Sequence, residues 1–279
     1  MRASDDQPEG LKPALQARWL LIGNSRWHWA APPRLAGEPL RVWHSPPWRG
    51  ERSEPESPGA VDQDDPLLPG SSRLVGWAAV GVVPPEACLP SETRLQLAAV
   101  PLLEAPPWLG IDRALAGWWA WRLKRAPVLV ADAGTVLSFT RLDRDGRFIG
   151  GRLLAGVALQ LRAMAGGTAQ LPAVGPDGLA MDPAERPLWP QDTAAAMGSG
   201  VLRGLAAAIR AATLEARREE PHCQLLLTGG DGAVLNSLLD PALEAELRPN
   251  LCLEALAALR PGDGQPSAID QPSPRSLRI

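Results

Sequence analysis

The sequence predicts a duplicated α/β protein with a ligand cleft between its two halves. Three observations carry this. Two strand–turn–strand units occur in series, one from Arg18 and one from Pro127, and each turn holds a glycine and small polar residues: Gly23-Asn24-Ser25 in the first, Ala133-Gly134-Thr135 in the second. A third glycine turn, Thr228-Gly229-Gly230-Asp231-Gly232, joins an apolar run to a helical pattern. Finally, no GxxxxGK[ST] stretch is present and no GxGxxG follows a strand, so neither a P-loop nor a dinucleotide fold is supported. Glycine turns let backbone N–H groups approach a ligand, and a carboxylate and a hydroxyl beside one can hold a cation and a phosphate oxygen. The turns therefore suggest a nucleotide site built on hairpins. An ordinary hairpin whose aspartate caps its own turn is the alternative for Asp132.

In chain order, residues 1–16 read as a flexible leader. Arg18–Ile22 and Arg26–Ala30 read as paired strands, with Trp27 and Trp29 on a core face and His28 toward solvent, near enough to the turn for a ligand contact. Leu40–Trp43 reads as a further strand. Residues 44–72 are rich in Pro, Ser, Glu and Asp and read as a long loop insertion. Arg73–Val83 reads as a strand, and Leu95–Leu102 contains another. Residues 114–124 form a helix, with Asp112 as its expected N-cap. Val128 to Asp132 and the run from Val136 form the second hairpin, and Asp143–Arg147 is its distal turn. After Phe148-Ile149 and Gly150-Gly151, Leu153–Met164 is helical, and residues 172–190 are a Pro-rich loop. Asp192 caps a long Ala-rich helix reaching about Arg218. Cys223–Thr228 is a buried strand, a helix opens at Ala233, Leu251–Leu259 is a last helix, and residues 261–279 read as a disordered tail.

Composition narrows the function. The 279 residues are 45% hydrophobic and 21% charged, with a net charge of −3, so there is enough chain for a large core and no general nucleic-acid footprint. Cys88, Cys223 and Cys252 are odd in number and far apart, which suits a reducing, cytoplasmic compartment and excludes a disulfide framework. No apolar run approaches membrane-spanning length. The eleven tryptophans, two phenylalanines and absent tyrosine have no functional account at this stage.

Taken together, the motifs resemble the type III pantothenate kinases of the acetate and sugar kinase, Hsp70 and actin superfamily. The resemblance runs from Arg18 to Leu259. It rests on IGNSR at 22–26, LGIDRA at 109–114, DAGT at 132–135, GGRLLAG at 150–156, TAQLP at 168–172, DTAAAMGSG at 192–200 and TGGDG at 228–232. It implies two actin/hexokinase-like (ribonuclease H-like) domains, residues 17–125 and 126–260, with the nucleotide between them. The implied reaction is ATP-dependent phosphorylation of the 4′-hydroxyl of pantothenate, the first step of coenzyme A biosynthesis.

By the same resemblance, Gly23, Asn24, Ser25, Arg26, Thr135, Gly229 and Gly230 lie against ATP. Asp132 binds the monovalent cation, K+ or NH4+, and Mg2+ accompanies ATP. Gly110, Ile111, Asp112, Arg113 and Thr193 line the pantothenate pocket, with Asp112 as the base. The assembly is a homodimer whose pockets are completed by the partner. Phosphoryl transfer asks for positioning and charge neutralisation, which suits these residue types, and the Arg113 guanidinium can grip a carboxylate bidentately.

Three positions depart from the family pattern. Leu21 stands where the first turn carries an aspartate, Leu103 at the place of a pocket tyrosine, and Ala155 at that of a proline. Leu21 motivates the alternative reading, a non-catalytic ligand-binding or regulatory relative. A kinase for another small hydroxyl substrate is a further alternative, against which LGIDR and Thr193 argue.

Overall fold

Among the described residues, 16–35, 37–47, 72–175 and 187–262 of the computed structural model, nine strands form two sheets. The expected tail, most of the 44–72 insertion, and all but the last residue of the leader lie outside the described residues.

The first sheet is built from β1 (Gln16–Ile22), β2 (Trp27–Ala31), β3 (Arg41–Ser45) and β4 (Ser72–Ala79) in the order β3-β2-β1-β4. The second contains β5 (Val128–Ala133), β6 (Val136–Leu142), β7 (Phe148–Ala155), β8 (Gln224–Thr228) and β9 (Glu246–Leu247) in the order β7-β6-β5-β8-β9. In each sheet an antiparallel meander of three strands is extended by a parallel strand beside the first: β4 along β1, β8 along β5. β1 to β4 are thus matched by β5 to β8, and the expected duplication is present strand for strand.

Period-two alternation decides which faces are buried. On β1, Trp19 and Leu21 point one way and Leu20 and Ile22 the other, and they enter two different cores. Trp19 and Leu21 join Val128 and Val130 of β5 around α1 (Ile111–Lys124) and α5 (Leu251–Leu259). These two helices therefore form a layer shared by both sheets. The other face of the second sheet is covered by α2 (Val157–Gly167), α3 (Thr193–Glu219) and the short α4 (Gly232–Asn236). The outer face of the first sheet carries Leu20, Ile22, Trp27, Trp29 and Trp77.

Tryptophan gives these layers polar anchors as well as apolar area. Trp19 Nε1 donates to Arg260 O at 2.7 Å, Trp77 Nε1 to Pro90 O at 2.7 Å, and Trp119 Nε1 to the Glu254 carboxylate at 3.1 Å, tying α1 to α5.

Several expectations are corrected. Leu95–Leu102 is not a strand. Arg94 makes one bridge to Trp77, Leu97–Ala99 is a single 3₁₀ turn, and Pro101 has no N–H to continue a ladder. β4 ends at Ala79, four residues short of Val83. Leu153–Ala155, read as helical, are the end of β7, held by pairing with Val136–Ser138 of β6; α2 begins only at Val157. This is tertiary pairing overriding a helical spacing of leucines. Asp112 is not the N-cap of α1: Gly110 occupies that position, and Asp112 lies in the first turn. Asp192 is the cap of α3, accepting from Ala195 N at 2.8 Å. His28, read as solvent-facing, is half-buried.

Candidate active site

Parallel pairing brings the carboxyl ends of β1, β4, β5 and β8 to one end of the two sheets, and the three glycine turns leave from there. The first turn closes with Gly23 N–H donating to Arg26 O at 3.0 Å. The second closes with Gly134 N–H donating to Val136 O at 3.3 Å. They meet directly: Ser25 Oγ lies 3.1 Å from Thr135 Oγ1, although 110 residues separate them. The third turn is tied to the second by Asp231 N–H donating to Ala133 O at 2.9 Å. Gly23, Gly134 and Gly229 therefore belong to one cleft mouth, as the sequence suggests.

The glycines fall into two kinds. Gly229 is required by the protein itself. Its φ is +87°, and a Cβ there would sit 2.5 Å from both Ala133 O and Asp132 Oδ1. At Gly134 and Gly230 a Cβ would meet nothing closer than 3.9 Å. The protein has no packing need for glycine there, and open space lies above both.

Two carboxylates stand behind the turns. Asp132, the penultimate residue of β5, lies beneath Gly229. Burial, with a smaller contribution from the nearby Asp112 charge, pushes its carboxyl up to about 7. Asp112 is also held above the usual carboxylate range by burial, against the lowering effect of the Arg113 N–H and guanidinium. Its Oδ1 accepts from Arg113 N at 2.8 Å. Cys252, in the first turn of α5, places its Sγ 3.5 Å from the Asp112 carbonyl, so the two helix starts touch. The thiol is pushed well up by burial and by both carboxylates, which makes it an inert packing group.

Gly110 and Ile111 line a cavity of about 460 Å³ together with Val80, Arg94, Leu97 and Leu109. Arg94, which the sequence reading missed, stacks over Trp77 at 5.0 Å and supplies a cation to that wall. Arg113 is less free than expected. Its Nε donates to Thr140 Oγ1 and one Nη to Phe139 O, both at 3.2 Å, and it lies over Phe148 at 5.9 Å. It anchors α1 to β6 while presenting its charge to Asp112.

Thr193 is exposed at the first position of α3, in the layer on the opposite face of the second sheet from α1. Leu103 is exposed and bridges Arg147. Leu21 is buried in the shared core at the position of β1 that Asp132 holds in β5, two residues before the turn glycine. Also missed were Asp231, half-buried and facing the Arg26 charge, and the pairing of His28 with His44. The only sequence signal for the histidines was the nearness of His28 to the turn. Among the described residues no three His, Cys, Asp or Glu side chains form a metal-holding group, and no helix is long and apolar enough to cross a membrane.

A protein-family model described as type III pantothenate kinase matches residues 86–215. The type III pantothenate kinase of Synechococcus elongatus is 36% identical over 244 residues, 86% of this chain and 94% of that protein. That of Synechococcus sp. (strain JA-3-3Ab) is 40% identical over 249 residues, 87% of this chain and 92% of the relative. Among solved structures, a conserved Campylobacter jejuni protein described as a Baf family transcriptional activator superposes with a TM-score of 0.52 at 19% identity, covering 87% of this chain and 96% of the other. That likeness concerns the fold.

Proposed function

The chain belongs to the type III pantothenate kinase family, and on that premise we propose how its residues divide the work of phosphorylating pantothenate with ATP. The observation that carries the assignment of roles is the convergence of three glycine turns on the Asp112 and Asp132 carboxylates.

Backbone amides of Gly23–Arg26, Gly134–Thr135 and Gly229–Gly230 receive the ATP phosphates, and Mg2+ accompanies the nucleotide. Pantothenate enters beside Gly110 and Ile111, with its 4′-hydroxyl at Asp112 and with Arg94 and Arg113 as the cations nearest its carboxylate. The carboxylate of Asp112 takes the hydroxyl proton. The 4′-oxygen bonds to the γ-phosphorus, the bond from that phosphorus to the bridging oxygen breaks, and ADP leaves. Asp112 is a base because its second oxygen is not used by Arg113 N, and burial raises its basicity toward neutral pH.

Asp132 fits a monovalent cation. A carboxyl pushed up by burial and a neighbouring negative charge is a group that a cation returns to its ionised form. Asp132 would hold such a cation, which would supply charge neutralisation for phosphoryl transfer.

Thr193 reaches a pantothenate pocket through assembly. Its helix lies on the far face of the sheet, and the exposed Ile149 and Leu153 on edge strand β7, with Leu188 and Trp189, suit burial against a second copy. The two lobes are taken as residues 17–125 and 126–260. The free cysteines fit a cytoplasmic protein.

The deciding experiment is a single assay. Purified protein with pantothenate, Mg·ATP and KCl is expected to form 4′-phosphopantothenate and ADP in equal amounts, read by mass spectrometry. ATP turnover without phosphopantothenate, or neither product, would overturn the reading.

A further inference from the structure

The duplication allows the two sheets to be compared row by row at the end where the turns leave. In the second sheet the row is Thr228–Asp132–Ser138–Leu153, across β8, β5, β6 and β7. In the first sheet the matching row is Ala78–Leu21–His28–His44, across β4, β1, β2 and β3. The first sheet thus lacks a carboxylate where the second has Asp132. One strand over, where the second sheet has a serine, it carries an imidazole.

That imidazole is placed against the first glycine turn. His28 Nε2 lies 3.3 Å from where a Cβ on Gly23 would sit, second only to Arg26 O of the turn itself at 3.0 Å, so the ring rests on the turn. Its other nitrogen is engaged. His28 Nδ1 and His44 Nδ1 are 3.0 Å apart, with the rings edge to face at 4.8 Å. One proton lies between these two nitrogens. When His44 carries it, His28 must hold its own proton on Nε2, the nitrogen facing the turn. Burial, His44 on β3 and Arg26 in the turn lower the His28 pKa to about 4, so the ring is neutral at working pH.

We infer that His28 is a nucleotide-positioning residue: its Nε2–H donates to a phosphate oxygen held against the Gly23 turn, and His44 fixes the tautomer that makes this possible. On β2 it does by direct contact what a β1 carboxylate would do through the metal. This inference rests on the proposed function, since it presumes that a nucleotide lies at the turn.

The test is calorimetric binding of Mg·ATP, without pantothenate, to the parent and to His28→Leu, His28→Gln and His44→Ala. Loss of one hydrogen bond to a charged group predicts roughly a tenfold or greater weakening for His28→Leu. His28→Gln, which keeps a neutral donor at similar reach, should recover most of it, and His44→Ala should show a smaller loss. KM for ATP should rise in His28→Leu with kcat and pantothenate affinity little changed. Unchanged ATP affinity in His28→Leu, equal weakening of both substrates, or no recovery in His28→Gln would each overturn the inference. If His28→Leu does not fold, the comparison of His28→Gln and His44→Ala decides, and loss of ATP affinity in the first but not the second sinks it. A parent that binds no Mg·ATP overturns both this inference and the proposed function. A parent that binds Mg·ATP but phosphorylates no pantothenate overturns the proposed function alone, and the variants still judge His28.

Discussion

Asp112 and Asp132 lie on neighbouring elements and share an electrostatic environment, yet chemistry asks opposite things of them. Under the proposed function Asp112 has to be ionised to accept a proton, whereas Asp132 would be ionised when a cation is bound. Because Gly110 caps α1, Asp112→Asn removes no cap, and asparagine can still accept from Arg113 N. Turnover should fall by on the order of 10²-fold or more with the melting temperature almost unchanged. Steady-state kinetics and thermal unfolding on one preparation check this; near-parental turnover would mean that the proton leaves without Asp112.

Asp132 predicts a dependence of stability on pH. Its carboxyl titrates near 7 in the folded chain and about 3.9 when unfolded, so the folded state holds the extra proton between those values. Stability should therefore fall as pH rises from about 4 to 7, with the full cost present above 7. KCl should restore stability at pH 8 in the parent. Asp132→Asn should lose both the pH slope and the KCl effect in thermal melts; a variant that keeps both would remove Asp132 from the cation site.

At the scale of elements, the third turn offers a sharp test. Gly229→Ala forces a side chain to φ +87° and into Ala133 O and Asp132 Oδ1. A loss of about 1–3 kcal/mol in denaturant unfolding is expected, together with a weaker KCl response, because the methyl group presses on the carboxylate. Gly230→Ala, with open space above it, should leave stability almost unchanged and weaken nucleotide binding instead. Turns such as these were legible in the sequence because glycine, a small polar residue and flanking β-branched or aromatic runs together specify a hairpin locally. The strand that became Leu97–Ala99 was not, because its apolar residues serve a loop packed under α1, and Pro101 was the clue against it. β7 was misread at Leu153–Ala155, where the ladder to β6 outweighs leucine spacing. Asp132 stood out in the sequence because it lies two residues before a turn glycine, whereas the role expected of Asp112 came from the family resemblance, its local reading being a helix cap. The His28–His44 pair was not, since it depends on a register across strands 16 residues apart. The contact of Cys252 with Asp112 spans 140 residues and exists only through the packing of α1 on α5.

For the whole molecule, the proposed function links assembly to the cleft. If β7 forms the dimer edge, Leu153→Glu should convert a dimer into a monomer in light scattering at micromolar concentration and weaken pantothenate binding more than ATP binding, because Thr193 loses its route to the pocket. A monomeric parent with full activity would remove the partner from the mechanism. The first and second turns touch at Ser25 and Thr135, so under the proposed function this contact lies where nucleotide would enter. Five tryptophans lie in the strands of the first sheet, Trp27 directly after Arg26 of the first turn and 6.2 Å from Trp29, in a chain with no tyrosine. Ultraviolet emission from this protein is therefore tryptophan light alone, and part of it originates beside the first glycine turn, the proposed phosphate site. The protein carries its own optical reporter: titration with ATP should shift the emission in proportion to occupancy, and Trp27→Phe should dim that response while leaving occupancy itself intact.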